Sequence, residues 1–134
     1  MLYLEKEIKM KKIISIKEAP EAIGSYSQAV LNNNTLYCSG QIAMNVETGN
    51  LIIENIENET NQIMRNIEAI LKAANMNFSN VVKCSIFMKN ISDYSTINKV
   101  YSKYFKQHFP AREAVEVSAL PKNVNVEISI IASH

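Results

Sequence analysis

Between residues 58 and 74 the apolar side chains fall at three- and four-residue steps: Ile63, Met64, Ile67, Ile70, Leu71 and Ala74. That spacing draws one stripe down one face of a helix. Such a helix must bury its stripe against another element. Asn75 follows the last stripe residue and supplies the left-handed stop that glycine usually supplies. A second stripe, Ile97, Val100, Tyr101, Tyr104 and Phe105, predicts a second helix with Ser92 as its cap. Pro110 bars any continuation.

The partner for both helices is a sheet. β-branched or alternating runs predict strands at residues 12–16, 26–31, 35–41, 81–89, 114–119 and 124–132. Asn32-Asn33-Asn34 separates the second from the third, and asparagine tolerates positive φ, so the pair reads as a hairpin. Thr48-Gly49-Asn50 marks a further turn. The order is β-β-β-α-β-α-β-β. The expected fold class is therefore α+β, a six-stranded mixed sheet with two helices on one face. In the last strand Val124, Val126, Ile128 and Ile130 share one face, while Asn125, Glu127, Ser129 and Ile131 share the other. The second face is too polar for a closed core and too apolar for free water, which a subunit interface would resolve.

At 134 residues the chain has one domain's worth of length. Residues 11–134 are expected to form it, with residues 1–10 a flexible N-terminal extension and Met10 an alternative start. Residues 1–12 carry both charge signs and no apolar core, unlike a secretory signal. Fourteen basic residues against thirteen acidic ones give a net charge of +1, with no bulk pull toward nucleic acid or an anionic membrane. The apolar runs are too short to span a bilayer. Cys38 and Cys84 lack any metal-ligand or disulfide spacing and suit a reducing cytoplasm.

The sequence contains no nucleophile elbow, no Walker loop, no dinucleotide-binding glycine set and no zincin motif. Three glycines leave little for a phosphate cradle. Two histidines, His108 and His134, are a poor basis for a triad or metal cluster, so no metal site is expected. Three features remain. Phe109-Pro110-Ala111-Arg112 places an arginine just after a proline stop and just before a strand, where its planar fork suits a carboxylate, although a lone arginine reads more readily as surface. Glu127 lies among β-branched neighbours, so it faces solvent, pairs, or lines a site. Cys38-Ser39-Gly40-Gln41 ends a strand on a hydroxyl. Tyr94, Tyr101 and Tyr104 read as packing, and the cysteines as core rather than nucleophiles.

An ordered series of motifs goes further. Ala19-Pro20 and residues 22–30 (Ala-Ile-Gly-Ser-Tyr-Ser-Gln-Ala-Val) come first, then Ser39-Gly40-Gln41-Ile42 and Thr48-Gly49. Next come Asn66 with Ile67, Ile70 and Leu71, then Val81-Val82-Lys83 with Phe87-Met88-Lys89. Phe109-Pro110-Ala111-Arg112 follows, then Val115-Glu116-Val117, Leu120-Pro121 and Val126-Glu127-Ile128. Over about residues 13–132 this series resembles the RidA (YjgF) family.

The resemblance implies a chorismate-mutase-like fold and a homotrimer with sites in clefts between subunits. It also implies hydrolysis of reactive enamine/2-imino acids, 2-iminopropanoate and 2-iminobutanoate, to 2-keto acids and ammonia, a detoxification requiring no cofactor. Arg112 matches the carboxylate-binding arginine and Glu127 the acid that holds the hydrolytic water. Tyr26, Ser39 and Asn98 match other substrate-binding positions. Three departures are visible. Ser25 follows Gly24 where proline is frequent, Ala114 stands where cysteine is frequent, and Asn75 replaces a helix-ending glycine. Two other functions stand beside hydrolysis: a keto-acid-binding regulatory protein without turnover, and an endoribonuclease or translation inhibitor. Retention of both Arg112 and Glu127 argues against the first, since binding a carboxylate needs only the arginine. The near-neutral charge argues against the second.

Overall fold

The computed structural model describes residues 11–134. The extension expected over residues 1–10 lies outside the described residues. Strands β1 (Lys12–Ile14), β2 (Ala29–Asn32) and β3 (Thr35–Gln41) precede helix α1 (Ile56–Ala73). Then come β4 (Val81–Met88), α2 (Tyr94–Ser102), β5 (Ala111–Glu116) and β6 (Val126–Ser133). The sheet order is β1-β2-β3-β6-β4-β5. Among the described strands only the β4–β5 pair is parallel, so the sheet is mixed. Among the described residues, the α+β class, the six strands and the two helices match the expectation.

Local chemistry sets these elements. The Asn33 backbone takes φ 56° between β2 and β3, the conformation its residue type was expected to supply. Asn55 begins α1, its side chain accepting from the Asn58 amide at 2.8 Å, so the helix starts a little earlier than the stripe suggested. At its other end Asn75 takes φ 57°. There the Met76 amide reaches the Leu71 carbonyl and the Asn75 amide the Lys72 carbonyl, closing a Schellman stop. Every residue of the α1 stripe is buried, packed on β3 and β6 and against α2. Full burial of each large stripe residue contributes about 1.5–3 kcal/mol before entropy is subtracted.

Several expected boundaries moved. β2 begins at Ala29 rather than 26, which leaves Tyr26 in the preceding loop. Ser92 does not cap α2; it lies in a 3-10 turn over Ile91–Asp93, and the helix begins at Tyr94 with no side-chain cap. Tyr104 and Phe105 fall just past the end of α2, where tightened turns keep their side chains against the core. β5 begins at Ala111 rather than 114, because parallel pairing to β4 starts at Lys83↔Ala111 and places Cys84 beside Arg112. Arg112 is thus inside the edge strand.

The sheet has two unlike faces. Val126, Ile128, Ile130 and Ala132 of β6 are buried beneath the helices. Their neighbours Glu127, Ser129, Ile131 and Ser133 point to the open face and are only partly covered. Tyr37 and Val115 lie on that open face and are 49% and 41% exposed.

Candidate active site

Arg112 lies on the helix side of the sheet, in register with the buried Cys84. Its two terminal nitrogens donate to α2: Nη1 to Asn98 Oδ1 at 2.8 Å and Nη2 to the Tyr94 hydroxyl at 2.5 Å. The guanidinium carbon also sits 5.4 Å from the Tyr94 ring centre and 5.0 Å from that of Tyr101. Two hydrogen bonds and two aromatic faces fix the plane of the fork. A cavity of about 370 Å³ opens beside it, lined by Asn98, Tyr101, Ser102, Phe109, Pro110 and Arg112. That volume suits a small molecule. The Tyr101 hydroxyl is buried without a hydrogen-bond partner among the described residues, with Cys84 and Arg112 flanking it. Burial raises its pKa, so it stays a neutral phenol beside the cation.

The second group lies on the open face. A bulge in β3 sets two residues, Ser39 and Gly40, opposite the one residue Ser129 of β6. Ser39 Oγ donates to the Ser27 carbonyl at 2.6 Å, tying β3 to the loop that carries Tyr26. Tyr26 itself is 53% exposed. Glu127, two residues along β6 from Ser129, lays its side chain over Gly40. Its carboxylate has no hydrogen-bond or ion-pair partner among the described residues, and partial burial holds its pKa above the ordinary carboxylate value.

The five expected site residues therefore form two groups, Arg112 with Asn98, and Glu127 with Ser39 and the Tyr26 loop. Arg112 and Glu127 do not meet within one chain. They project from opposite faces of the sheet, with β4 between their strands.

Neither thiol is poised as a nucleophile. Burial pushes Cys38 up to about 12 and also raises Cys84. Among the described residues no three His, Cys, Asp or Glu side chains gather where a metal ion could be held. No helix among them is long and apolar enough to cross a membrane.

A protein-family model described as Endoribonuclease L-PSP matches residues 16–134. The chain belongs to the RidA (YjgF) family. A RidA relative from Bos taurus, named 2-iminobutanoate/2-iminopropanoate deaminase, is 50% identical over 92% of this chain and 90% of its own. A Lactococcus lactis protein bearing a regulator name, AldR, is also 50% identical, over 90% of this chain and 96% of its own. The crystal structure of the Yersinia pestis protein YyfA, described as of the conserved Rid family, superposes with a TM-score of 0.91. Identity there is 48%, covering 93% of this chain and 100% of that one. The RidA fold is chorismate-mutase-like, in agreement with the six strands and two helices described above.

Sequence reasoning missed Tyr94, taken for packing. Its hydroxyl partner is eighteen residues away across α2 and β5, beyond any local pattern. It also missed Glu59, which is fully buried in α1 and accepts from the Asn125 amide, the Asn125 side chain and the Val126 amide at 2.8–3.0 Å. The acid standing on a helix's buried side was the available signal.

Proposed function

We propose that this chain hydrolyses 2-imino acids such as 2-iminopropanoate and 2-iminobutanoate to 2-keto acids and ammonia, at sites shared between subunits of a cytoplasmic homotrimer. The observation that carries this reading is the Arg112 fork, held in one plane by Asn98 and Tyr94 at the mouth of a small cavity. A planar, fixed fork of donors recognises a carboxylate at two points. The deaminase name of the bovine relative supplies the reaction class.

In this reading Arg112 of one subunit holds the substrate carboxylate, and Glu127 of a neighbour aims water at the adjacent C=N carbon. The water oxygen bonds to that carbon while Glu127 takes one of its protons. With the imine nitrogen protonated at the outset, this gives a neutral carbinolamine. Glu127 returns its proton to the nitrogen, the C–N bond breaks with its electron pair leaving on ammonia, and the hydroxyl proton passes to the Glu127 carboxylate as the keto C=O forms. A carboxylate held above its usual pKa is better matched to moving that proton near neutrality. Ser39 and Tyr26 shape the cleft. The reaction as written uses no metal or organic cofactor.

The test adds purified protein to a PLP-dependent dehydratase reaction and follows keto-acid release, with keto-acid binding measured in parallel by calorimetry. Arg112→Ala is expected to lose both turnover and binding. Glu127→Gln is expected to lose turnover and keep binding. Full turnover by Arg112→Ala would overturn the mechanism. Binding without turnover by the wild type would favour a regulatory role, and cleavage of single-stranded RNA abolished by Arg112→Ala would favour a nuclease.

A further inference from the structure

A β-carbon built at Gly40 would stand 2.8 Å from Glu127 Cδ, 3.0 Å from Oε1 and 3.1 Å from Cγ. Its three nearest atoms all belong to that one side chain. The Gly40 backbone lies outside the left-handed region, so the position does not demand glycine for its φ. What excludes a side chain is the arm of Glu127, which crosses from β6 onto the bulge of β3. The bulge turns Gly40 toward the open face beside Ser39, and the missing β-carbon leaves a groove one atom deep in which the acid lies.

We propose that Gly40 is a positioning residue for Glu127, its missing side chain fixing where the carboxylate meets substrate water. This rests on the hydrolytic reading above. The carboxylate is the far end of a flexible side chain, so a methyl group at position 40 displaces it without dismantling the sheet. A misplacement on the order of 1 Å in a reacting group lowers rates by about a hundredfold.

Gly40→Ala, Glu127→Gln and the double variant are made in the full chain, and their assembly is checked by light scattering. Gly40→Ala is expected to lower imine turnover on the order of tenfold to a hundredfold. Keto-acid binding should persist. The acid limb of its pH–rate profile should move down as the carboxylate is pushed into solvent. A general loss of structure would not move that limb. In the Glu127→Gln background the same substitution is expected to change turnover little, because the proton-moving group is already gone. Wild-type turnover by Gly40→Ala, with Glu127→Gln impaired, overturns the inference alone. Wild-type turnover by Glu127→Gln overturns both the inference and the hydrolytic reading. If Gly40→Ala folds poorly, Gly40→Ala/Glu127→Ala decides. Recovery of folding supports the contact, and continued misfolding overturns it.

Discussion

A guanidinium recognises a carboxylate by the direction of its N–H bonds as much as by charge. Arg112→Lys keeps the charge and loses the fork. One charge-assisted contact is worth about 1.5–3 kcal/mol, so turnover should fall on the order of tenfold to a hundredfold. Tyr94→Phe keeps the aromatic face and removes the acceptor that steers Nη2. Keto-acid binding should weaken on the order of tenfold, read by calorimetry, and an unchanged Kd would show that Asn98 orients the fork unaided. Glu127 gives a pH-dependent prediction. Its pKa is raised in the folded chain, so its contribution to stability is fully present below the unfolded carboxylate value and lost as pH rises through the folded one. Glu127→Gln should therefore raise the denaturation midpoint at neutral pH while lowering turnover, the trade expected of a site built for chemistry. Arg112 and Glu127 were noticeable in the sequence by type, a fork after a proline and an acid among β-branched residues. The roles proposed for them came only from the family resemblance, because the partners of Arg112 lie fourteen and eighteen residues away and Glu127 lies over Gly40 of another strand. Tyr94 was hidden for the opposite reason: a tyrosine in a helical stretch resembles core.

The helices were legible because stripes such as Ile63 to Ala74 repeat over several turns, and Asn75 marked its own stop. The ends of shorter elements were not. β5 is an edge strand whose start is set by β4, residues 81–88, and nothing within residues 109–116 announces that pairing. The polar ties between elements were invisible too. Gln28 binds Ile16, Ala19 and Pro20, and Glu59 joins α1 to the entrance of β6. Glu59→Ala would strip three donors of their acceptor at buried or half-buried positions. At about 1–3 kcal/mol per unsatisfied group, a loss of about 3 kcal/mol or more is expected in chemical denaturation. Because β6 carries Glu127 two residues beyond Asn125, turnover should fall even under conditions where the variant stays folded. A loss under 1 kcal/mol, roughly the size of a single exposed contact, would mean that water replaces the carboxylate.

At the scale of the molecule, the open sheet face is the unfinished surface. Tyr37 and Val115 are exposed there, beside the Lys83–Glu113 ion pair and Glu127, whose carboxylate has no partner among the described residues. A mixed apolar and polar face of this kind suits a symmetric partner. Light scattering at micromolar concentration is expected to give the mass of three chains, and a stable monomer would contradict a site built between subunits. The separation of Arg112 from Glu127 across the sheet also has a genetic consequence. Two dead alleles, one encoding Arg112→Ala and the other Glu127→Gln, should rescue each other when co-expressed. In a mixed trimer one cleft joins the intact arginine of one product to the intact glutamate of the other. Random assembly from equal amounts leaves about a quarter of all clefts wild type. A single-chain site would allow no rescue, so the activity of co-expressed variants tells directly whose residues share a cleft.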